Sequence, residues 1–329
     1  MKIGLIDVDS HNFPNLALMK ISAYHKAKGD DVEWCLPLLH YDIVYVSKTF
    51  GDEYSRIDDT VINADKVIYG GTGFAIEVIN GKEEYKKGAD GELPPEIEHI
   101  YPDYSLYPEL TENTAYGFLT RGCPNNCGFC PVSKKEGLKS VKVADLSEWW
   151  DGQKNIMLMD PNLLACSGHL ELLQQLADSG AYVDFAQGLD ARFINEKNLQ
   201  ILKQVKIKIV HFAWDRMKFE KQIVRGLRLA REHLKNTGSE TVYMLTNYDT
   251  SIHDDLYRLN KIQELGFIPD VRIYRKNALP KRHILRDMQR WCNNRYIYRS
   301  CKFEDYVPRA DGRTIKEIYK EYFTKGAHQ

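Results

Sequence analysis

Residues 114–131 read TAYGFLTRGCPNNCGFCP. The first part, from about Tyr116 to Arg121, has the apolar and β-branched character of a buried strand. The second part is a loop of Gly, Pro and Asn that carries Cys123, Cys127 and Cys130. The spacing is C-x-x-x-C-x-x-C. Three close thiolates on such a loop are able to surround one cubic iron–sulfur cluster, with loop amides donating to its sulfurs. Only three cysteines are near, so one iron of that cluster lacks a protein ligand. Thiolate softness also suits zinc. A structural zinc site favours paired C-x-x-C knuckles, however, and no second knuckle or Cys/His pair follows.

Downstream of this loop, strand-like runs alternate with helical ones. Strands are expected at 116–121, 155–160, 182–187, 207–214, 241–246 and 270–275. Helices are expected at 145–150, 169–179, 195–204, 217–236 and 253–265, with Gly180 and Gly266 stopping two of them. Six βα steps suit a partial or full parallel barrel, whose active site sits where strands run into loops. Helices at 280–295 and 312–323 close the chain.

Upstream, KIGLIDVD reads as a strand, Asn15 to Lys28 as an amphipathic helix ended by Gly29, and DIVYVS and KVIYGG as two further strands. This order predicts a small, open, Rossmann-like parallel sheet over 1–85. Residues 86–115 change character. Prolines 94, 95, 102 and 108 disfavour both helix and central strand, so this stretch reads as a linker over the surface. The expected domains are therefore 1–85, a linker at 86–115, a (β/α)6 series at 116–278 and a basic helical extension at 279–329.

The chain has 329 residues, 43% hydrophobic and 28% charged, room for one large α/β domain and a smaller one. No run of about 18 apolar residues is present, so no membrane partner is expected. The start, MKIGLIDVDSHN, does not read as a signal peptide, and a cytoplasmic location is expected. Seven cysteines, an odd number, argue against a disulfide framework. Cys35, Cys166, Cys292 and Cys301 read as core or surface thiols. Residues 1–115 hold 10 Lys/Arg against 21 Asp/Glu, whereas 272–302 hold 10 Lys/Arg against Asp287 alone. The second run, interleaved with Tyr274, Trp291, Tyr296 and Tyr298, is either a solvated face or a surface for an anionic partner such as nucleic acid or a phosphorylated substrate.

The cysteine spacing with an aromatic, Phe129, before the last Cys resembles the radical S-adenosylmethionine superfamily. The resemblance covers about 114–300. It implies a partial (β/α)6 barrel of radical SAM type, a 4Fe–4S cluster on Cys123, Cys127 and Cys130, and bound S-adenosylmethionine. It also implies an electron donor such as flavodoxin or ferredoxin, and a 5′-deoxyadenosyl radical acting on a substrate the sequence does not identify. By position in the series, Phe129 packs near the adenine, Asp160 and Asn162 meet the methionyl group, and Asp215 meets the ribose. Gln187, Asp190 and Arg192 form a polar cluster for substrate or carboxylate, and Thr246-Asn247-Tyr248-Asp249 ends the fifth strand. For each of these the alternative is a helix N-cap.

The N-terminal part resembles cobalamin-binding domains. Asp9-Ser10-His11 follows the first strand, Ser47-Lys48-Thr49 the second, and Gly70-Gly71 the next. That implies either a cobalamin-dependent radical methyltransferase, with His11 as the cobalt ligand and Asp9 fixing its tautomer, or a similar fold that has lost its ligand. Pro14 stands where the motif has its last Gly, and only about 17 residues separate Thr49 from the next strand. Methylthiotransferases share this layout but need three further cysteines in the N-terminal domain, where only Cys35 is present. The reading from a different class is a non-catalytic nucleic-acid-binding protein with a structural metal.

Overall fold

A computed structural model of the protein describes residues 1–10, 12–52, 54–57, 62–79, 82–234 and 240–323. His11, and residues 235–236 at the end of the helix expected over 217–236, lie outside the described residues. The chain is α/β with parallel sheets. Its packing divides it into two units, Met1–Gln187 and Gly188–Gln329.

In the first unit, β1 (Lys2–Asp7) carries buried Ile3 and Leu5. The helix α1 (Leu16–Ala27) starts where the Asn15 side chain accepts the Leu18 amide, satisfying one of the first-turn donors. Gly29, at φ 80°, turns the chain after it. Then come β2 (Asp31–Trp34), β3 (Tyr41–Ser47) and β4 (Ala64–Gly70). The order is β2-β1-β3-β4, and every pairing is parallel. Ile3, Leu5, Leu18 and Ile21 pack on one face, and Tyr41, Val44 and Val46 belong to a second cluster.

The stretch up to residue 85 is not wholly parallel. β5 (Ile76–Ile79) and β6 (Lys82–Tyr85) form an antiparallel hairpin. The proline-rich stretch also differs from a plain linker. Pro95 and Pro108 each sit at the start of a short helix, α2 (Pro95–Glu98) and α3 (Pro108–Thr111). Proline is tolerated there because the first helical N–H has no intrahelical partner. The stretch is pinned as a strap: Asp103 accepts from Ser22 Oγ and Lys26 Nζ, both at 2.6 Å, and the Tyr107 hydroxyl donates to Asp7.

Next come β7 (Thr114–Gly117), β8 (Thr120–Arg121), α4 (Val132–Glu136), β9 (Val141–Lys142), β10 (Asn155–Leu158), α5 (His169–Ser179) and β11 (Tyr182–Leu189). β10 lies between β7 and β11, parallel to both. The single strand expected over 116–121 is broken into β7 and β8. The amides of Leu119 and Thr120 are taken by the Asp160 carboxylate, and β8 instead pairs antiparallel with β9. The helix expected at 145–150 is one 3-10 turn, Leu146–Glu148, closed by a reciprocal Asp145/Glu148 cap. Gly180, at φ 64°, ends α5 as expected.

The second unit contains α6 (Glu196–Leu202), β12 (Lys206–Ala213), α7 (Glu220–His233), β13 (Thr241–Thr246), α8 (Ile252–Glu264) and β14 (Ile268–Ile273). β12, β13 and β14 pair in parallel. The helix expected at 280–295 is α9 (Ile284–Asn293), and Asn294 caps a new one, α10 (Arg295–Ser300), by accepting the Tyr296 and Ile297 amides. The last expected helix, 312–323, is α11 (Ile315–Ile318) followed by a 3-10 turn.

Candidate functional site

The cysteine loop is built from its base upward. Gly122 has φ 86°, and a Cβ there would overlap the Lys139 carbonyl oxygen, so only glycine fits. Its amide donates to Glu136 Oε2 at 2.9 Å, and Arg121 Nη1 donates to Glu136 Oε1 at 2.9 Å. The Cys123 amide donates to the Gly137 carbonyl at 3.1 Å. Residues 122–137 are thus cinched where they begin and end. Between those points Cys123, Cys127 and Cys130 are half-buried free thiols. Asn126, at φ 43°, turns the loop, and its side chain accepts from Ser133 Oγ at 3.2 Å. Phe129 is half-buried on the same loop.

Two residues after β10 hold this loop from below. Asp160 is 4% exposed. It accepts from the Leu119 amide, the Thr120 amide (both 2.8 Å) and Thr120 Oγ1 (2.5 Å). Burial pushes its carboxyl up to about 7, against the pull of those three donors. Asn162 is buried, and its side-chain amide donates to Cys123 Sγ at 3.6 Å. Neither is a helix cap: Asn162 precedes a 3-10 turn without a side-chain cap bond. Asp160 therefore acts on the strand that leads into the loop, and Asn162 on a cysteine itself.

Lys135, on α4, reaches the N-terminal sheet. It donates to Thr72 Oγ1 at 2.6 Å and lies 3.7 Å from the buried Asp90 carboxylate. Sequence reasoning missed both Lys135 and Glu136. Their role depends on the loop closing on itself, and the nearest signal was the pair of basic residues preceding an acid and Gly137.

The strand ends of the second unit carry the other candidates. Asp190 caps the 3-10 turn Ala191–Phe193 by accepting the Arg192 amide, and it also holds the Arg192 guanidinium at 2.5–2.8 Å. For Asp190 the helix-cap alternative is thus correct. Asp215 accepts the Leu245 amide at 3.0 Å. Burial holds its carboxyl above the usual range, opposed by that amide and by Arg258. Arg258 is fully buried, paired with Asp255 at 2.5 Å, and donates to the Trp214 and Leu245 carbonyls. Asp249 pairs with Arg216 at 3.3 Å. Gln187 is exposed on β11.

The donor chemistry of the cysteine loop fits an iron–sulfur cluster: three soft, accessible thiols on one cinched loop, one already receiving an N–H···S bond. Among the described residues no three His, Cys, Asp or Glu side chains converge to hold a single metal ion. A cubane cluster makes a different demand, with each thiolate on its own iron. Cys166 and Cys292 are buried core thiols.

The glycine turn of the N-terminal sheet does not fit a cobalamin tail. A Cβ on Gly71 would overlap the Lys48 carbonyl oxygen, and one on Gly73 the Phe50 carbonyl oxygen. Gly70 faces the Asp90 and Gly91 carbonyls at 3.5–3.6 Å. The chain's own backbone thus occupies the close approach that these glycines permit. Both oxygens of Asp9 are engaged by the Thr49 and Phe50 amides at 2.8 Å. Lys48 is 2% exposed and paired with Asp52.

In the basic run, Trp291 is core, its indole N–H donating to the Cys301 carbonyl at 3.1 Å. Arg272 pairs with Asp270, and Arg286 donates to the Lys276 and Leu279 carbonyls. Tyr296 is 90% exposed. No helix among the described residues is long and apolar enough to cross a membrane. No family model matches the chain, and no curated protein matches it.

Proposed function

We propose that this chain is a radical S-adenosylmethionine enzyme with the partial (β/α)6 barrel of that superfamily. The observation that carries the reading is the C-x-x-x-C-x-x-C loop, cinched by Glu136 and Gly137, with its three thiols left half-buried. Cys123, Cys127 and Cys130 would hold the 4Fe–4S cluster. When bound, that group supplies the electron that reductively cleaves S-adenosylmethionine to methionine and a 5′-deoxyadenosyl radical, which takes hydrogen from the substrate. The chain's own contribution is positioning. Asp160 fixes the strand entering the loop, and Asn162 donates an N–H to Cys123 Sγ, which favours the thiolate there. Phe129 offers a ring for adenine, and Asp215 a buried carboxylate for ribose hydroxyls. An external flavodoxin or ferredoxin would deliver the electron.

The test is metal and product analysis of protein prepared without oxygen. About four irons and four labile sulfides per chain are expected, with 5′-deoxyadenosine released on adding dithionite. Cys127→Ala should lose both. A single tightly held zinc would overturn the reading in favour of a structural metal.

The N-terminal sheet we read as a cobalamin-like fold without cobalamin, because its glycine turn is packed against its own chain. Hydroxocobalamin should therefore leave no corrin absorption on the protein after gel filtration.

A further inference from the structure

The exposed face of α7 carries a row of cations. Residues 216–231 contain six Lys/Arg and one acid, Glu220. Arg216 and Arg231 are paired, with Asp249 and Glu240. Among the described residues, Lys218, Lys221, Arg225 and Arg228 form no ion pair; Arg225 donates only to the Arg192 carbonyl, at 3.3 Å. Glu220 is engaged by the Tyr257 hydroxyl, and Glu232 ends the row.

Lys221, Arg225 and Arg228 are spaced i, i+4, i+7, so they stand one above another on the same face. Like charges at that spacing repel and weaken a helix. A row kept in this form is stabilised by an anion laid along it. Its steps rise by roughly 6 Å and 4.5 Å, within reach of successive phosphates on one strand.

Aromatic rings lie beside the cations. Arg192, Phe193, Phe219, Lys221, Gln222 and Arg225 line an open pocket of about 560 Å³. Phe193 is 37% exposed, and the Arg192 guanidinium lies 4.3 Å from the Phe219 ring centroid. A second pocket of about 500 Å³ shares Lys221 and Arg225 and continues to Arg228 and to Tyr257, which is 42% exposed. Two adjoining pockets, each with cations and an open ring, match the repeat of a single strand: a phosphate on a cation and a base on a ring or guanidinium plane. An acidic polypeptide would use the cations and leave the rings idle.

We propose that this face of α7, with Phe193 and Tyr257, binds single-stranded nucleic acid. The site goes beyond the radical reading and does not depend on the cluster. It is also separate from the 272–302 run, whose α9 buries Trp291 in the core.

The experiment is fluorescence anisotropy of the full chain with labelled oligouridine and oligothymidine of about 12 nucleotides, between 50 and 200 mM salt. Binding of one or both is expected, with a log–log salt slope of about −2 to −3 for three or four phosphate contacts. Lys221→Gln/Arg225→Gln/Arg228→Gln should weaken binding at least 30-fold and flatten the slope. These changes relieve repulsion on the helix, so the variant should melt no lower than the parent. Phe193→Ala should weaken binding about five- to tenfold with the slope kept, and Lys281→Gln/Arg282→Gln should change it less than twofold. The proposal fails if neither oligomer binds or if the α7 variant binds like the parent. It fails equally if polyglutamate or anionic vesicles compete as well as the unlabelled oligomer.

Discussion

Two glycine turns of the first unit look alike in sequence and do opposite things. At Gly70–Gly73 the glycines let the chain's own Lys48–Phe50 and Asp90–Gly91 segments come close, and the space is filled. At Gly122–Gly137 glycine is needed only at the base, where the Gly122 amide meets Glu136, and the residues between are left partly open. A glycine that admits a ligand and one that admits the protein's own backbone cannot be told apart by letters. What distinguishes them is which carbonyl a Cβ would strike. The two turns also touch, through Lys135 donating to Thr72.

This contrast can be broken experimentally. The largest effect is expected for Gly71→Ala, where a positive φ adds about 1–2 kcal/mol and overlap with the Lys48 carbonyl about 1–3 kcal/mol more. A urea midpoint within error of the parent would mean that the turn has room after all. Asp160→Asn comes next. It sets a new donor against the Leu119 or Thr120 amide and should cost about 2–3 kcal/mol. It should also lower iron loading of the cysteine loop without altering the N-terminal turn.

The same residue sets a pH dependence. The Asp160 carboxyl is raised from 3.8 to about 7, so between those values the folded chain holds one more proton than the unfolded chain. Its contribution to stability is fully present below about pH 4 and falls as pH rises through 7. Urea titrations of the metal-free chain across that window should show this slope in the parent and not in Asp160→Asn. The smallest effect is expected for Lys135→Met, about 1–2 kcal/mol, from the lost bond to Thr72 and the lost partner of buried Asp90. If its cost equals that of Gly71→Ala, the two turns form one cooperative piece rather than two.

The long periodic elements were legible because periodicity survives tertiary packing. Apolar runs such as TVYMLT and a helix with a glycine stop such as 169–179 fall where expected. Elements set by competition for one amide were not. The break between β7 and β8 exists because Asp160, some forty residues later, takes the Leu119 and Thr120 amides. β2 and the β5–β6 hairpin are four-residue strands, too short for a period to register. In the site, residue types were right where the partner was undecidable. Asp190 is a cap, Asp160 a backbone clamp and Asn162 a donor to sulfur, and nothing in the letters D and N separates those three fates.

The strap at 86–115 has a consequence for dissecting this protein. Asp103 is tied to Ser22 and Lys26, Tyr107 to Asp7, and Ile97 lies among Ile3, Leu5 and Leu18. The point where composition changes is therefore not a seam. A chain severed there would bare apolar surface on both fragments, so the N-terminal sheet and the cysteine loop are inherited, expressed and lost together rather than as interchangeable modules.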